Sequence, residues 1–251
     1  MTMLAVLGML SCSVPPRPST PKSELEVERL SAPAEGPSGV LEGRVLFDGA
    51  RIPRSTKIEN TTDPDDCGRL HSLENIIVSQ ASRGIQNAIV SFADMPLAAG
   101  YEPPVSRLVL ENRQCRFEPH VSVLTVGSTI EAVNSDPIYH SVHLYGLKQL
   151  NVSLHTSKSR LIELPKRPGF LIVKCDVHGW MQAYIRVDRH PFHAVTDPDG
   201  RFRIEGVPKG THRLEVWHEH FGSQKHTVTV EPNTTSRLTI SFTDKTESKR
   251  Q

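Results

Sequence analysis

The sequence predicts an all-β protein built from two β-sandwiches. Aliphatic and aromatic residues fall in short runs that alternate with polar ones, the period-2 pattern of half-buried strands. Gly and Pro, 16 and 19 of 251 residues, punctuate those runs often enough to end each after a few residues. No long segment has helical periodicity, and none approaches the roughly 18 consecutive apolar residues of a membrane span. A chain of 251 residues has room for one large or two small domains. A formal net charge of +1 leaves no electrostatic footprint for nucleic acid.

Taken in order, residues 1–12 are an apolar run, Met1 to Leu10, leading into Ser11-Cys12. This reads as the short apolar core and lipobox of a bacterial lipoprotein signal, with Cys12 as the lipidated residue and the membrane as a partner through that anchor. Two features depart from the pattern: no Lys or Arg precedes the run, and Met9 stands where Leu is usual. An ordinary cleaved signal or a plain tail is the other reading. Residues 13–38, dominated by Pro, Ser, Glu and Lys, read as a disordered linker. Residues 39–95 carry candidate strands at Leu41 to Phe47 and Gln86 to Phe92.

Residues 105–188 read as successive strands: Arg107 to Asn112, Val121 to Val126 ending in a Gly127-Ser128 turn, and Thr129 to Asn134. His140 to Tyr145, Ser159 to Leu164, Phe170 to Cys175 and Gln182 to Val187 complete the set. Short antiparallel strands at this spacing indicate a sandwich. Residues 190–243 hold hairpins around Asp199-Gly200 and Pro208-Lys209-Gly210, with strands at His212 to Trp217, Val228 to Val230 and Leu238 to Phe242. These are too few to close two sheets, so the second sandwich is expected to be split, with residues 39–95 supplying its opening strands and 105–188 inserted. A serial layout, with 39–95 as an independent unit, is the alternative. Residues 244–251 are a polar tail.

The chemistry concentrates in Cys175-Asp176-Val177-His178-Gly179-Trp180-Met181 and in Asn134-Ser135-Asp136-Pro137-Ile138-Tyr139-His140. Two His, one Cys and a weak Met are the ligand set of a blue-copper electron-transfer site. Thiolate and thioether favour Cu(I), imidazole suits either oxidation state, and a geometry fixed between the two lets an electron pass with little rearrangement. Cys175 ends a strand, His178 and Met181 follow on its loop, and His140 comes from far away in sequence, so the site exists only in the folded domain.

These residues resemble a cupredoxin of the plastocyanin and amicyanin type over 105–188. The run Phe117-Glu118-Pro119, Val126-Gly127, Ile130 to Asn134 and His140 follows that family's order, and Cys-x2-His-x2-Met is the short ligand loop of amicyanin. The resemblance implies a Greek-key sandwich, one mononuclear type-1 copper and His140, Cys175, His178 and Met181 as ligands. It departs at Ser141, where the family usually has an Asn that ties the two ligand loops together; a hydroxyl can do this with one bond. Asn134, Ser141 and His143 are expected around the ligands. His143 is not itself expected to be a ligand, because strand alternation turns it away from the His140 face. The hairpin pattern from Thr196 resembles the carboxypeptidase regulatory-like, transthyretin-like sandwich, whose opening strands would be Gly43-Arg44-Val45 and Ala88-Ile89-Val90. The combination also resembles bacterial exported proteins labelled methylamine utilisation proteins.

Of the other cysteines, Cys67 and Cys115 are expected to pair in an oxidising compartment, two free thiols being the alternative. His120 reads as a turn residue. His218 and His220 read as a solvated strand end, a weak surface metal site being the competing reading. Trp180 reads either as packing on the sandwich rim or as part of an apolar docking patch around a partly exposed His178. The expectation is an exported, envelope-located electron carrier, not an enzyme, with a c-type cytochrome or a dehydrogenase as redox partner. A copper-carrying or copper-sensing protein, and an adhesion or carbohydrate-binding sandwich with structural or no metal, are the alternatives.

Overall fold

Alternating burial along residues 36–243, the stretch described by a computed structural model, gives eighteen strands and one short helix among the described residues. The expected lipidation at Cys12, most of the 13–38 linker and the 244–251 tail lie outside the described residues. In chain order the elements are β1 (Ser38–Phe47), β2 (Lys57–Glu59), α1 (Pro64–Cys67), β3 (Leu70–Ser72), β4 (Ile89–Phe92) and β5 (Arg107–Arg113). They continue with β6 (Arg116–Glu118), β7 (Val121–Thr125), β8 (Thr129–Asn134), β9 (His140–Gly146), β10 (Leu150–Leu154), β11 (Ser159–Glu163) and β12 (Gly169–Lys174). The last are β13 (Gln182–Asp188), β14 (His193–Val195), β15 (Arg201–Pro208), β16 (Gly210–His218), β17 (Gly222–Val230) and β18 (Thr235–Phe242). No helix is long and apolar enough to cross a membrane among the described residues.

The strands form two sandwiches. The first pairs a sheet ordered β10-β9-β12-β13-β7 with one ordered β11-β8-β5-β6. Inward residues such as Leu110, Ile130, Leu144, Leu171 and Ile185 fill the space between them and are all fully buried. Two parallel pairings, β5 with β8 and β7 with β13, mark where the chain crosses between sheets. The second sandwich pairs β15-β1-β18 with β14-β4-β16-β17 around Leu41, Val45, Phe92, Leu214 and Val216. Strand β1 is the central strand of its sheet, antiparallel to β15 and parallel to β18. Gly43 permits this: a Cβ there would overlap the Leu238 carbonyl and the Phe202 ring.

The strand ends lie close to the sequence reading, but β2, β3, β10 and β14 were not foreseen. Cys115 sits in the turn before β6 with φ 55°. The excursion from β1 to β4 also differs from a simple run of second-sandwich residues. Its β2–β3 hairpin, with α1 in the loop, lies against the first sandwich through a Cys67–Cys115 disulfide whose Cα atoms are 5.4 Å apart.

The sandwiches meet along β13. Asp188 Oδ2 accepts from Ser91 Oγ at 2.7 Å and from His193 Nδ1 at 3.0 Å. Arg186 donates to Asp188 Oδ1 at 2.9 Å and to Glu215 Oε2 at 2.8 Å. Trp217 of β16 packs on Phe170 and Tyr184, with ring centroids 4.7 and 5.2 Å away. Two histidine expectations are corrected here. His120 is no simple turn residue: its ring is buried at the junction, bonded to the Gln182 carbonyl at 3.0 Å and to Glu219. His218 is not solvated but 1% exposed, and burial holds its pKa down at about 4; its Nδ1 accepts from the His220 amide at 3.2 Å.

Candidate metal centre

Strand alternation sets the first donor. β9 begins at His140, and its side chain is fully buried while that of His143 is not. The 134–140 loop that precedes it is fixed by Asn134. The Asn134 side chain donates to the Ile138 and Leu154 carbonyls at 2.7 and 3.0 Å and accepts from the Asp136 amide at 3.0 Å. The second and third donors lie where β12 ends. Cys175 leaves the strand, and the loop folds back so that the Met181 amide donates to the His178 carbonyl at 2.9 Å and the Cys175 amide to the Met181 carbonyl at 3.3 Å. Met181 is 1% exposed and belongs to the core between the sheets.

The loop and strand bring three donors together. Cys175 Sγ lies 4.0 Å from His140 Nδ1 and 3.8 Å from His178 Nδ1, and the two Nδ1 atoms are 3.0 Å apart. The outer nitrogens are occupied by carboxylates. His140 Nε2 meets Asp136 Oδ2 at 2.8 Å, and His178 Nε2 meets Asp63 Oδ2 at 3.0 Å. A carboxylate only accepts, so each ring carries its proton on Nε2 and turns a lone pair on Nδ1 toward the thiol. Two lone pairs facing each other at this distance repel unless a cation or proton lies between them. The donor set therefore fits a metal ion, and it is the set that soft, thiolate-binding metals take.

The electrostatics agree. Burial opposes ionisation of Cys175, but the two imidazoles at its sulfur and the bond from the Ser141 amide outweigh it and hold its pKa at about 5. Burial likewise opposes protonation of His178, and the bonds to Cys175 and Asp63 outweigh it, so its pKa is raised. Ser141 ties the two ligand loops together. Its hydroxyl accepts from the Asp176 amide at 2.8 Å, and its own amide donates to Cys175 Sγ at 3.4 Å. His143 stands outside the donor cluster, with Nδ1 against Asp176 at 2.9 Å and Tyr145 at 2.8 Å.

The expected partial exposure of His178 is corrected: the residue is 0% exposed. Asp63 and Cys67, from the β2–β3 hairpin, cover its outer edge, with Cys67 Sγ 3.8 Å from Nε2. Trp180 is accordingly no open docking patch. It is half-buried, stacked on His71 at 4.5 Å, and donates to the Cys115 carbonyl at 3.0 Å. Asp63, His71 and Asp136 were missed in the sequence. Asp136 stood one turn before His140 and could have been singled out; Asp63 had a signal only through its place four residues before Cys67.

A second trio, Asp188, His190 and His193, also brings its donor atoms close together. Its atoms are already engaged: His190 bonds the Phe92 carbonyl and the Phe192 amide, and Arg186 lies on Asp188.

The model of the carboxypeptidase regulatory-like domain matches residues 181–243, from the start of β13 through β18. No curated protein matches the sequence. Among solved structures, a copper-containing nitrite reductase from Thermus scotoductus is similar at 24% identity and a TM-score of 0.31, over 37% of this chain and 25% of that one. A purple cupredoxin from Nitrosopumilus maritimus is similar at 17% identity and a TM-score of 0.29, over 33% of this chain and 98% of that one. An amicyanin variant in its Cu(I) form is similar at 17% identity and a TM-score of 0.29, over 39% of this chain and 98% of that one.

Proposed function

We propose that this protein is a one-electron carrier that holds a single copper ion through His140, Cys175, His178 and Met181. The observation that carries the reading is the convergence of one thiol and two imidazole Nδ1 atoms, each imidazole fixed by a carboxylate on its far side. Copper in such a set supplies one electron reversibly, with the thioether tuning its potential. The chain's own part is to hold the donors rigid. Ser141 fixes the start of the Cys175 loop, Asn134 fixes the His140 loop, and all four donor residues lie out of water. A protein that hands its metal on would use the same donors; their burial favours retention.

In this proposal the protein is exported, in keeping with its disulfide, and anchored through Cys12, with a redox protein as partner. In this reading the second sandwich is one unit interrupted by the first, supported by the pairing of β1 with β15 and β18 and of β4 with β14 and β16. The test is a visible spectrum of the full chain titrated with Cu(II). An intense thiolate-to-copper band is expected for the wild type and none for Cys175→Ser, while Met181→Leu keeps the band with an altered potential. Stoichiometric copper binding without that band in the wild type would overturn the assignment.

A further inference from the structure

The β2–β3 hairpin has no role in closing either sandwich, yet it is among the most firmly held excursions of the chain. Asn60 fixes its loop by donating to the Gly68 carbonyl at 2.7 Å and accepting from the Thr62 amide at 2.8 Å. Asp63, at φ 50°, turns the chain so that α1 starts over the His178 ring. Cys67 ends α1 and bonds Cys115, and both sulfur-bearing residues are buried, at 9% and 1% exposure. The Cys115 amide donates to Asp136, the same carboxylate that His140 meets. His71 of β3 stacks on Trp180, which lies between His178 and Met181 in the ligand loop. Every contact this hairpin makes with the first sandwich described above is thus with a candidate ligand, with a residue between two of them, or with the turn that holds one.

We propose that residues 60–72 are a fixed cover on the metal centre, latched by the Cys67–Cys115 bond. Asp63 is its positioning residue, aiming the His178 ring and standing between that ring and solvent. The inference rests on the metal reading for its copper consequence but not for the cover itself. The Asp63 carboxyl side chain is 44% exposed while the ring beneath it is at 0%. A docking partner therefore meets Asp63 and not the imidazole edge. A bonded carboxylate of this kind orients a ligand imidazole and raises its donor strength. A buried disulfide resists exchange with external thiols, so the cover retains metal and does not act as a gate.

The experiment uses the full chain in two states. In the metal-free protein, alkylation of Cys175 by iodoacetamide is followed by peptide mass mapping for wild type, the double variant Cys67→Ala/Cys115→Ala, and Asp63→Ala. The cover predicts alkylation faster by about tenfold in Asp63→Ala, the ratio expected when one charge-assisted hydrogen bond no longer opposes opening, and faster by at least as much in the double variant, which loses the covalent latch. Val216→Ala, in the core of the second sandwich, controls for general loosening. Cover variants that alkylate at the wild-type rate, or a Val216→Ala rate that rises as much, overturn the proposal. In the copper-loaded protein, release to EDTA is expected to speed up about tenfold or more in the same variants. There, Asp63→Ala should shift the charge-transfer band, and Asp63→Glu should restore it. An unshifted band with unchanged release removes Asp63 as a positioning residue. A wild type that binds no copper sinks the metal reading alone, and the alkylation rates still decide the cover.

Discussion

Replacing Asp188 with Asn measures how strongly the two sandwiches are tied. Asp188 ends β13 and is 6% exposed, and its two oxygens accept from Ser91, His193 and Arg186. Burial opposes its ionisation, but the His193 bond, the Arg186 charge and the Ser91 bond outweigh it and hold the carboxyl at about 2, against an ordinary 3.8. A carboxyl whose pKa falls on folding contributes stability above its unfolded value and loses it as pH drops through the folded one. The window therefore runs from about pH 4 down to about pH 2. At 1.36 kcal/mol for each pH unit, the contribution at neutral pH is roughly 2 kcal/mol. The assay is urea unfolding of metal-free wild type and Asp188→Asn at steps from pH 7 to pH 2, plotted as the difference between them. Glu111 and Asp176, also held low, cancel in that difference. The variant should be less stable by roughly 2 kcal/mol at pH 7, with the gap closing below pH 4. A gap that persists unchanged at pH 2, or no gap at pH 7, refutes the electrostatic account of this junction.

Ser141→Ala should cost about 1 kcal/mol in urea unfolding of the metal-free chain, since the Asp176 amide loses its acceptor. Ser141→Asn should recover most of it, and an alanine variant as stable as wild type would show that the two loops need no tie. A fragment of residues 190–243 lacks β1, the central strand of one sheet, and β4, which lies between β14 and β16. It should show narrow amide dispersion and no cooperative transition; a dispersed spectrum would show that β14 to β18 suffice.

The sequence carried most of the first sandwich because most of its strands have a clear inward set, β10 with its largely exposed residues being the one that escaped. In β8, for example, Ile130, Ala132 and Asn134 point in and their neighbours do not. It also carried the three donors, because Cys175 and His178 sit on one short loop and His140 begins a strand whose parity turns it inward. What escaped were short or weakly patterned pieces. β2, β3 and β14 have three residues each, too few for periodicity to show. His120 was misread because its burial comes from the meeting of two sandwiches, a contact that its own turn does not record; His218 lies on the inward face of β16 with Leu214 and Val216, a parity that its place at the strand end masked. His178 was expected near solvent for the same reason as His120. Its cover lies more than a hundred residues earlier in the chain.

The long-range Cys67–Cys115 bond joins the two excursions that the chain makes from the second sandwich. Between β4 and β14 the chain builds the whole first sandwich, and between β1 and β4 it sends out the hairpin that reaches the candidate metal centre. Both excursions start and end on strands of one core, β1, β4 and β14, whose residues Val45, Val90 and Ala194 pack in or against it. The His193, Arg186 and Ser91 bonds to Asp188 fix the first excursion against that core. The Leu46–Gly84 and Val78–Ile85 bridges fix the base of the second. A cover attached only through its disulfide could swing about one point. Attached at its roots to the same core that carries the first sandwich, it has two fixed ends, and Asp63 stays within hydrogen-bond reach of His178. The second sandwich thus contributes to the candidate metal centre without supplying a ligand: it sets where the cover begins and where the covered domain stands.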